Sequence, residues 1–442
     1  MHIGPALLSM GVILSLTATK CSRKVGVDSI LDDNPIEITL PEGGAVKSGP
    51  VWDAQQRECV RKENIFALQC LRNLYSGGGG ASLVFSPLSL QYALSMLLNG
   101  AEKETYSEIA EALGYGADSQ CLNDFMSTLM EQLPAVDTTV EIKAANALMV
   151  NQKLRVRDEF ANLLNTKYYA PVEYLDVARK SAVVNRINNW VSKNTNGFIP
   201  QLVTENEITD DFSAALLNSL YFKAPWSDDG GGPLFRPGAT LESQPFYPEG
   251  RGQVSVDYLR TGTFLRYARR EAYQAVEIPY ASWDYAMYVL LPDKNRISSM
   301  AEFLDFLTFE EWSTLRESLT TGPKVHLQMP KFEYEKSFKL NGLLKGMGID
   351  SAFIPGRADF GKMIDSEDGR NYSVSGVLQK AKISVTEWGT EAAAVTSIIM
   401  VGSVLLPDYE EVFFTADHPY VYIIAERESG LILFEGVFTG KE

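Results

Sequence analysis

The sequence predicts an α+β fold built as one large domain, and three observations carry that prediction. Apolar residues recur at helical spacing through the first third of the chain, whereas two-residue alternation dominates the remaining two thirds. No Pro-, Gly- or Ser-rich linker divides the interior, and no internal repeat is visible. With 442 residues, 45% of them hydrophobic and 22% charged, the chain has enough apolar material for a large core. Helices first and antiparallel strands later are the signature of α+β rather than of alternating α/β units.

Taken in order, the first segment stands apart from this fold. Ile3 to Ala18 is an apolar run too short to cross a bilayer comfortably, and it ends in small residues ahead of Cys21. Residues 1–20 therefore read as an export signal, and Cys21 as a candidate for lipid attachment. The fit to a bacterial lipoprotein signal is imperfect, because Lys20 stands where a small residue is usual and only His2 precedes the run. A cleaved ordinary signal and a misassigned start are the alternatives. Residues 21–55, with Asp32, Asp33, Pro35, Pro41, Gly43 and Gly44, read as a tether, and 56–442 as the folded domain. The expectation is an exported protein, held at a bacterial cell envelope or released, that meets a membrane only through a lipid on Cys21.

Within the domain, Glu104 to Leu113 and Asn185 to Val191 carry apolar residues at helical spacing. Arg266 to Ile278, Tyr285 to Leu291, Val325 to Tyr334 and the last fifty or so residues alternate and are rich in β-branched and aromatic side chains, with a helix over Leu340 to Met347 between them. Gly and Pro clusters place loops at Gly77 to Gly80, Asp228 to Gly232 and Phe246 to Gly252.

Composition also excludes classes of function. A formal net charge of −16 argues against nucleic acid as partner, since phosphate binding needs clustered Lys and Arg. Cys59 and Cys70 fall in one expected helix, where eleven residues put them about 16 Å apart along the axis, too far for a disulfide. With Cys121 they read as buried thiols, and no CxxC or Cys/His cluster supports a metal site. The three histidines are His2, His326 and His418, and none sits in a local signature of a serine or cysteine hydrolase. No phosphate loop, dinucleotide fingerprint or HExxH motif is present, so neither an enzyme nor a cofactor is expected.

The most informative stretch begins at Glu387. From Thr390 to Met400 it has one charge, no proline and many small residues, so it can enter a sheet without clash. As a strand it would turn Thr390, Ala392, Ala394, Thr396, Ile398 and Met400 to one face and Glu391, Ala393, Val395, Ser397 and Ile399 to the other. Read on pattern alone, it is either a strand already paired or a strand still without a partner. Upstream, Ala381 to Glu387 alternates as a strand, with Gly389 as a flexible joint after it, and downstream Phe414 to Ile424 opens another.

The words around that run resemble the serpin family, whose mobile reactive loop has a glutamate, a glycine, a threonine and an alanine run at its base. Phe414-Thr415-Ala416-Asp417-His418-Pro419-Tyr420 is similar to the motif that lies after the family's loop. From about Arg61 to Gly436 further family words appear in order. These include Phe85-Ser86-Pro87-Leu88-Ser89-Leu90, Asn99-Gly100-Ala101, Asn146-Ala147-Leu148, Ile187-Asn188-Asn189-Trp190 and Thr195-Asn196-Gly197. They continue with Leu217-Asn218-Ser219-Leu220-Tyr221-Phe222-Lys223-Ala224-Pro225-Trp226, Val276-Glu277-Ile278-Pro279-Tyr280, Met329-Pro330-Lys331-Phe332 and Ala358-Asp359-Phe360. The resemblance implies helices packed around a large, mostly antiparallel central sheet, two smaller sheets and an exposed reactive-centre loop.

It also implies a mechanism. A protease attacks the loop and forms an acyl-enzyme; the freed loop base, Glu387, Gly389, Thr390, Glu391, Ala392, Ala393 and Ala394, inserts into the central sheet and traps the protease covalently. The equivalents of Ser86, Ser89 and Asn218 form a hydrogen-bonded shutter where the sheet must part. Gln379 stands where the family often has histidine, and Trp226 matches a tryptophan at the top of the sheet. Ser86 also reads simply as a helix N-cap ahead of Pro87. Counting forward from Gly389 by the family's hinge length puts the reactive bond at Ser403-Val404; counting back from Pro419 gives Leu405-Leu406. Residues around both are apolar or small, which disfavours a trypsin-like target and points to elastase-, subtilisin- or chymotrypsin-like serine proteases or to cysteine proteases. The partner expected is that protease, bound by a monomeric inhibitor. The alternative is a non-inhibitory serpin acting as carrier, chaperone or surface binding lipoprotein.

Overall fold

The computed structural model describes residues 52–116, 119–133, 140–208, 212–227, 233–236, 238–365, 372–390 and 409–440. The export segment, Cys21, most of the tether, and the loop residues 391–408 with both candidate reactive bonds lie outside the described residues.

The folded domain starts slightly before the expected boundary at residue 56. Asp53 caps helix α1 (Ala54–Gly77): its side chain accepts from the Gln56 amide while the Gln56 side chain accepts from the Asp53 amide. Trp52 is buried just ahead of this cap and donates through Nε1 to Glu426 at 3.1 Å. The tether reading missed the capping box, in which Gln56 stands three residues after Asp53. Helix α2 (Pro87–Gly100) is capped by Ser86 with Pro87 in its first turn and is buried on nearly every face, so it runs through the core. Helices α3 (Lys103–Ala112) and α4 (Ser119–Gln132) come next, the first close to its expected bounds.

The central sheet contains strands β1 (Glu141–Asn151), β2 (Val172–Leu175), β3 (Ala214–Pro225), β4 (Phe332–Lys339), β5 (Leu378–Thr386) and β6 (Gly389–Thr390), in the spatial order β4-β5-β6-β3-β1-β2. All neighbours are antiparallel except β1 and β2. On one face, Val183 and Ile187 of the Lys180–Asn194 helix pack on Ala147, Met149 and Leu217. On the other, α2 and a second sheet complete the core. Phe332 and Tyr334 of β4 meet Tyr422 and Phe438 there, and the Tyr334 and Tyr422 hydroxyls lie 2.8 Å apart.

That second sheet has the order Leu83–Phe85, Ile432–Phe438, Tyr420–Glu426, Tyr285–Pro292, Tyr273–Pro279, Arg266–Arg269, and a third joins Glu411–Thr415, Lys324–Pro330, Val254–Phe264 and Leu241–Phe246. Three expectations change. Arg266 to Ile278 is a hairpin rather than one strand, since the chain turns between Arg269 and Tyr273. Val325 to Tyr334 serves two sheets and breaks at Lys331. The eleven-residue strand Glu141–Asn151, rich in alanine and so weak in β-propensity, escaped the pattern reading.

Candidate functional site

The site lies where β3 and β5 part company. Both strands pair with the two residues of β6 at one end: Thr390 stands opposite Val385 of β5 and Ala224 of β3. Below Thr390, no strand lies between them among the described residues. A cavity of about 1440 Å³ occupies that place, lined by Ala214 to Phe222 of β3 and by Leu378 to Ile383 of β5, with Ser86, Ser89 and Leu90 of α2 behind it and Thr390 at its upper end.

The hinge is anchored, which corrects the reading of Gly389 as a flexible joint. Glu387 and Trp388 form a two-residue turn, and Gly389 and Thr390 are buried strand residues. Gly389 has φ +144°, and a Cβ there would collide with the Ala224 carbonyl and Pro225. Glycine is thus required by close approach of two backbones and by its own conformation. Thr390, 4% exposed, places its hydroxyl 2.6 Å from the Tyr280 hydroxyl, which burial keeps protonated by pushing its pKa up. The Tyr280 ring stacks on Trp226 at 4.8 Å between centroids. Trp226 in turn donates through Nε1 to the Thr386 carbonyl at 2.8 Å and through its amide to the Trp388 carbonyl at 3.2 Å. Trp226 therefore holds both sides of the turn.

Glu387 fixes the turn from outside. It accepts from Thr240 Oγ1 at 2.6 Å and pairs with Lys331 Nζ at 2.9 Å. Burial alone would raise its pKa, but the hydrogen bonds from Thr240 and Lys331 and the lysine charge hold the carboxyl below its usual 4.5. A depressed folded-state pKa adds stability above the unfolded value that fades as pH falls through the folded one. The difference in thermal midpoint between wild type and Glu387→Gln is therefore expected to be full at neutral pH and to fade as pH falls through the depressed folded-state pKa of Glu387. A difference that persists in acid would show that Lys331 does not hold the hinge.

At the middle of the cavity, the four polar residues Gln379, Ser86, Ser89 and Asn218 come together as one relay. Gln379 of β5 donates from Nε2 to the Ser86 carbonyl at 2.9 Å and accepts from the Ser86 amide at 3.3 Å. Ser86 Oγ caps α2 by accepting from the Ser89 amide at 3.3 Å and donates to the Leu433 carbonyl at 2.9 Å. Ser89 Oγ donates to Asn218 Oδ1 on β3, and Asn218 Nδ2 donates to Asn146 Oδ1 on β1 at 2.7 Å. Asn146 Nδ2 completes the chain at the Tyr168 carbonyl, 2.9 Å away. Both edges of the cavity are thus tied to the start of α2. The N-cap reading of Ser86 and the shutter reading describe the same atoms. Glutamine spans β5 to α2 with both ends of its amide, so it needs no histidine to do so.

Asn218→Ala strips Ser89 and Asn146 of partners at once and is expected to cost about 1–3 kcal/mol. The checks are a lower thermal midpoint and faster loss of monomer on native gels as the strands separate and expose their edges. An unchanged midpoint would leave the relay without structural weight.

Sequence reasoning passed over Tyr280, Thr240, Lys331 and Asn146. Tyr280, Lys331 and Asn146 stood inside family words, but only three-dimensional register gives them partners. His418 lies between Asp417 Oδ1 at 2.6 Å and the Pro292 carbonyl at 2.8 Å, and His326 stacks on Phe413. Neither touches the cavity.

Comparison with known proteins agrees with this geometry. Residues 61–440 match the family model described as serpin (serine protease inhibitor). The chain is 31% identical over 361 residues to an uncharacterized serpin-like protein of Methanosarcina acetivorans, covering 81% of this chain and 82% of that one. To human Serpin B3 it is 31% identical over 380 residues, covering 81% and 93%. Among solved structures, the native state of the thermophilic serpin Tengpin superposes with a TM-score of 0.77 at 28% identity, covering 89% of this chain and 96% of that one.

Proposed function

The chain belongs to the serpin family, and from that premise we propose that it inhibits a protease as a suicide substrate, its cleaved loop entering the cavity between β3 and β5. The observation that carries this reading is the register at β6. Thr390 pairs with Val385 and Ala224, so continuing the strand antiparallel to both sets Ala392 opposite Ile383 and Phe222, and Ala394 opposite Ala381 and Leu220. Thr396 then falls between Gln379 and Asn218, where the relay of hydrogen bonds must yield to it. Met400 reaches Ala214, the first residue of β3. The small residues of the run fall nearest the end where β6 already joins the two strands, and the sequence suits a strand whose partners already exist.

Register also bears on the bond. Insertion that ends beside Ala214 uses the chain through Met400, leaving three residues to reach Ser403 and carry an acyl-enzyme past the edge of the sheet. This favours Ser403-Val404 over Leu405-Leu406, because the length before the bond sets where the protease is held. Thr390 already sits in the sheet, so the first step of insertion is made before any protease arrives. The apolar run Ile3 to Ala18 ahead of Cys21 supports export, with the target met outside the cytoplasm.

Incubating the purified chain with elastase-, subtilisin-, chymotrypsin- and trypsin-like proteases, and with a papain-like cysteine protease, tests the proposal. Expected are SDS-stable complexes with one or more of the first three or with the cysteine protease, and release of a C-terminal peptide beginning at Val404 by mass spectrometry. Clean cleavage without any stable complex across the panel would sink it in favour of a carrier or binding protein on the same fold.

A further inference from the structure

Away from the slot, two helices bring a pair of thiols into contact. Cys59 is buried on α1, Cys121 is half-buried in the first turn of α4, and their sulfurs lie 3.4 Å apart. Gln55 Nε2 donates to Cys121 Sγ at 3.3 Å from the exposed side. Cys70, further along α1, is fully buried beside Met347. We propose that Cys59 and Cys121 are a disulfide-forming pair, oxidised by a low-molecular-weight disulfide, that fastens α1 to α4.

The geometry needs little change. A disulfide bond is about 2.05 Å long, so the sulfurs must close by a little over 1 Å, which rotation about the Cα–Cβ bonds supplies. The half-exposed Cys121 is the thiol a reagent reaches. Its thiolate attacks one sulfur of the small disulfide, forming a mixed disulfide and expelling the other half as a thiolate. Cys59 loses its proton to solvent and attacks Cys121 Sγ, expelling the second half. Two protein thiols are oxidised to one disulfide, and the donor is reduced to two thiols. Burial, and beyond it the contact with Cys121, push the Cys59 thiol up to about 12, so the second step accelerates as pH rises.

The consequence is selective stabilisation. The bridge closes a loop across a sequence separation of 62 residues that contains α2 and the Ser86–Ser89 end of the relay. It constrains the unfolded chain, and neither cysteine lines the cavity between β3 and β5. Oxidation is expected to raise the thermal midpoint by about 5 °C. Insertion is unaffected, since the bridge is common to the intact and inserted states. The inference does not rest on the inhibitory reading.

The test uses the full chain with oxidised glutathione at about pH 8.5, where attack by Cys59 is faster than at neutral pH. Alkylation with N-ethylmaleimide in denaturant comes next, and then non-reducing tryptic mapping. Expected is the peptide Glu58–Arg61 linked to the peptide carrying Cys121, with Cys70 alkylated and the midpoint raised. In Cys59→Ser, glutathione should remain on Cys121 instead. Wild-type protein that keeps glutathione on Cys121 with Cys59 alkylated, or that shows both thiols alkylated, overturns the proposal. A bridge that forms without moving the midpoint overturns its stabilising role.

Discussion

Under the proposed mechanism, Thr390→Arg is expected to convert the chain from an inhibitor into a substrate. Thr390 is 4% exposed, its hydroxyl meets that of Tyr280, and its backbone joins β5 to β3. A guanidinium at this position meets Tyr280, which packs on Phe222 and Trp226, and the hinge carboxylate Glu387 is already taken by Lys331 and Thr240. Burying it unpaired costs several kcal/mol, so the hinge leaves the sheet and insertion must begin against that cost. If only about 3 kcal/mol of it appears in the barrier, insertion slows about 100-fold while deacylation of the protease is untouched. Inhibition depends on the ratio of those two rates. SDS-stable complex should therefore disappear, and the protease should turn over the mutant with a reactive bond cut at the normal position. Thr390→Ser keeps the hydroxyl and should inhibit normally. Thr390→Arg that still forms stable complex at the wild-type stoichiometry would falsify the insertion mechanism.

Much of this site is legible in the sequence. The alternating run from Thr390, the strand ahead of it and the Ser86 N-cap follow from side-chain period and capping chemistry, which are local properties, whereas Phe85 to Leu90 and Leu217 to Trp226 pointed to the borders of the cavity only through their resemblance to family motifs. Partners across the fold were not legible. That Glu387 rests on Lys331 and Thr240, or that Cys59 touches Cys121, depends on the register of strands and the packing of helices distant in sequence. Gly389 shows the same limit from the other side. A glycine after a strand reads as freedom, yet here it is the residue that lets two backbones approach, and its conformation is fixed. The strand Glu141–Asn151 was hidden for a different reason. Its run of alanines has little intrinsic strand preference, and burial against α-helical neighbours and β3 decides its conformation.

Cleavage within Met400 to Leu406 is expected to raise the thermal midpoint by more than about 10 °C. In the intact chain β3 and β5 are joined at one end by the two residues of β6 and in the middle by the relay through α2, and the cavity of about 1440 Å³ extends along both strands on either side of that relay. Insertion pairs the facing edges of both strands with a new strand and fills the space with small side chains. At about 0.5–1.5 kcal/mol net for each hydrogen bond, two such rows supply on the order of 10 kcal/mol before any apolar burial is counted. Spread over the unfolding entropy of a domain of roughly 390 residues, that is a shift of about 12 °C, and buried apolar surface adds to it. The intact state is then kinetically held rather than the most stable arrangement of its own chain. Limited proteolysis and then a thermal scan of cut and uncut protein measure the difference directly. Thr390→Arg supplies the control, since its cleaved form should gain little. A wild-type midpoint that stays within a few degrees after cutting would mean that the cavity does not receive the loop, and the fold would then serve as a rigid scaffold for binding.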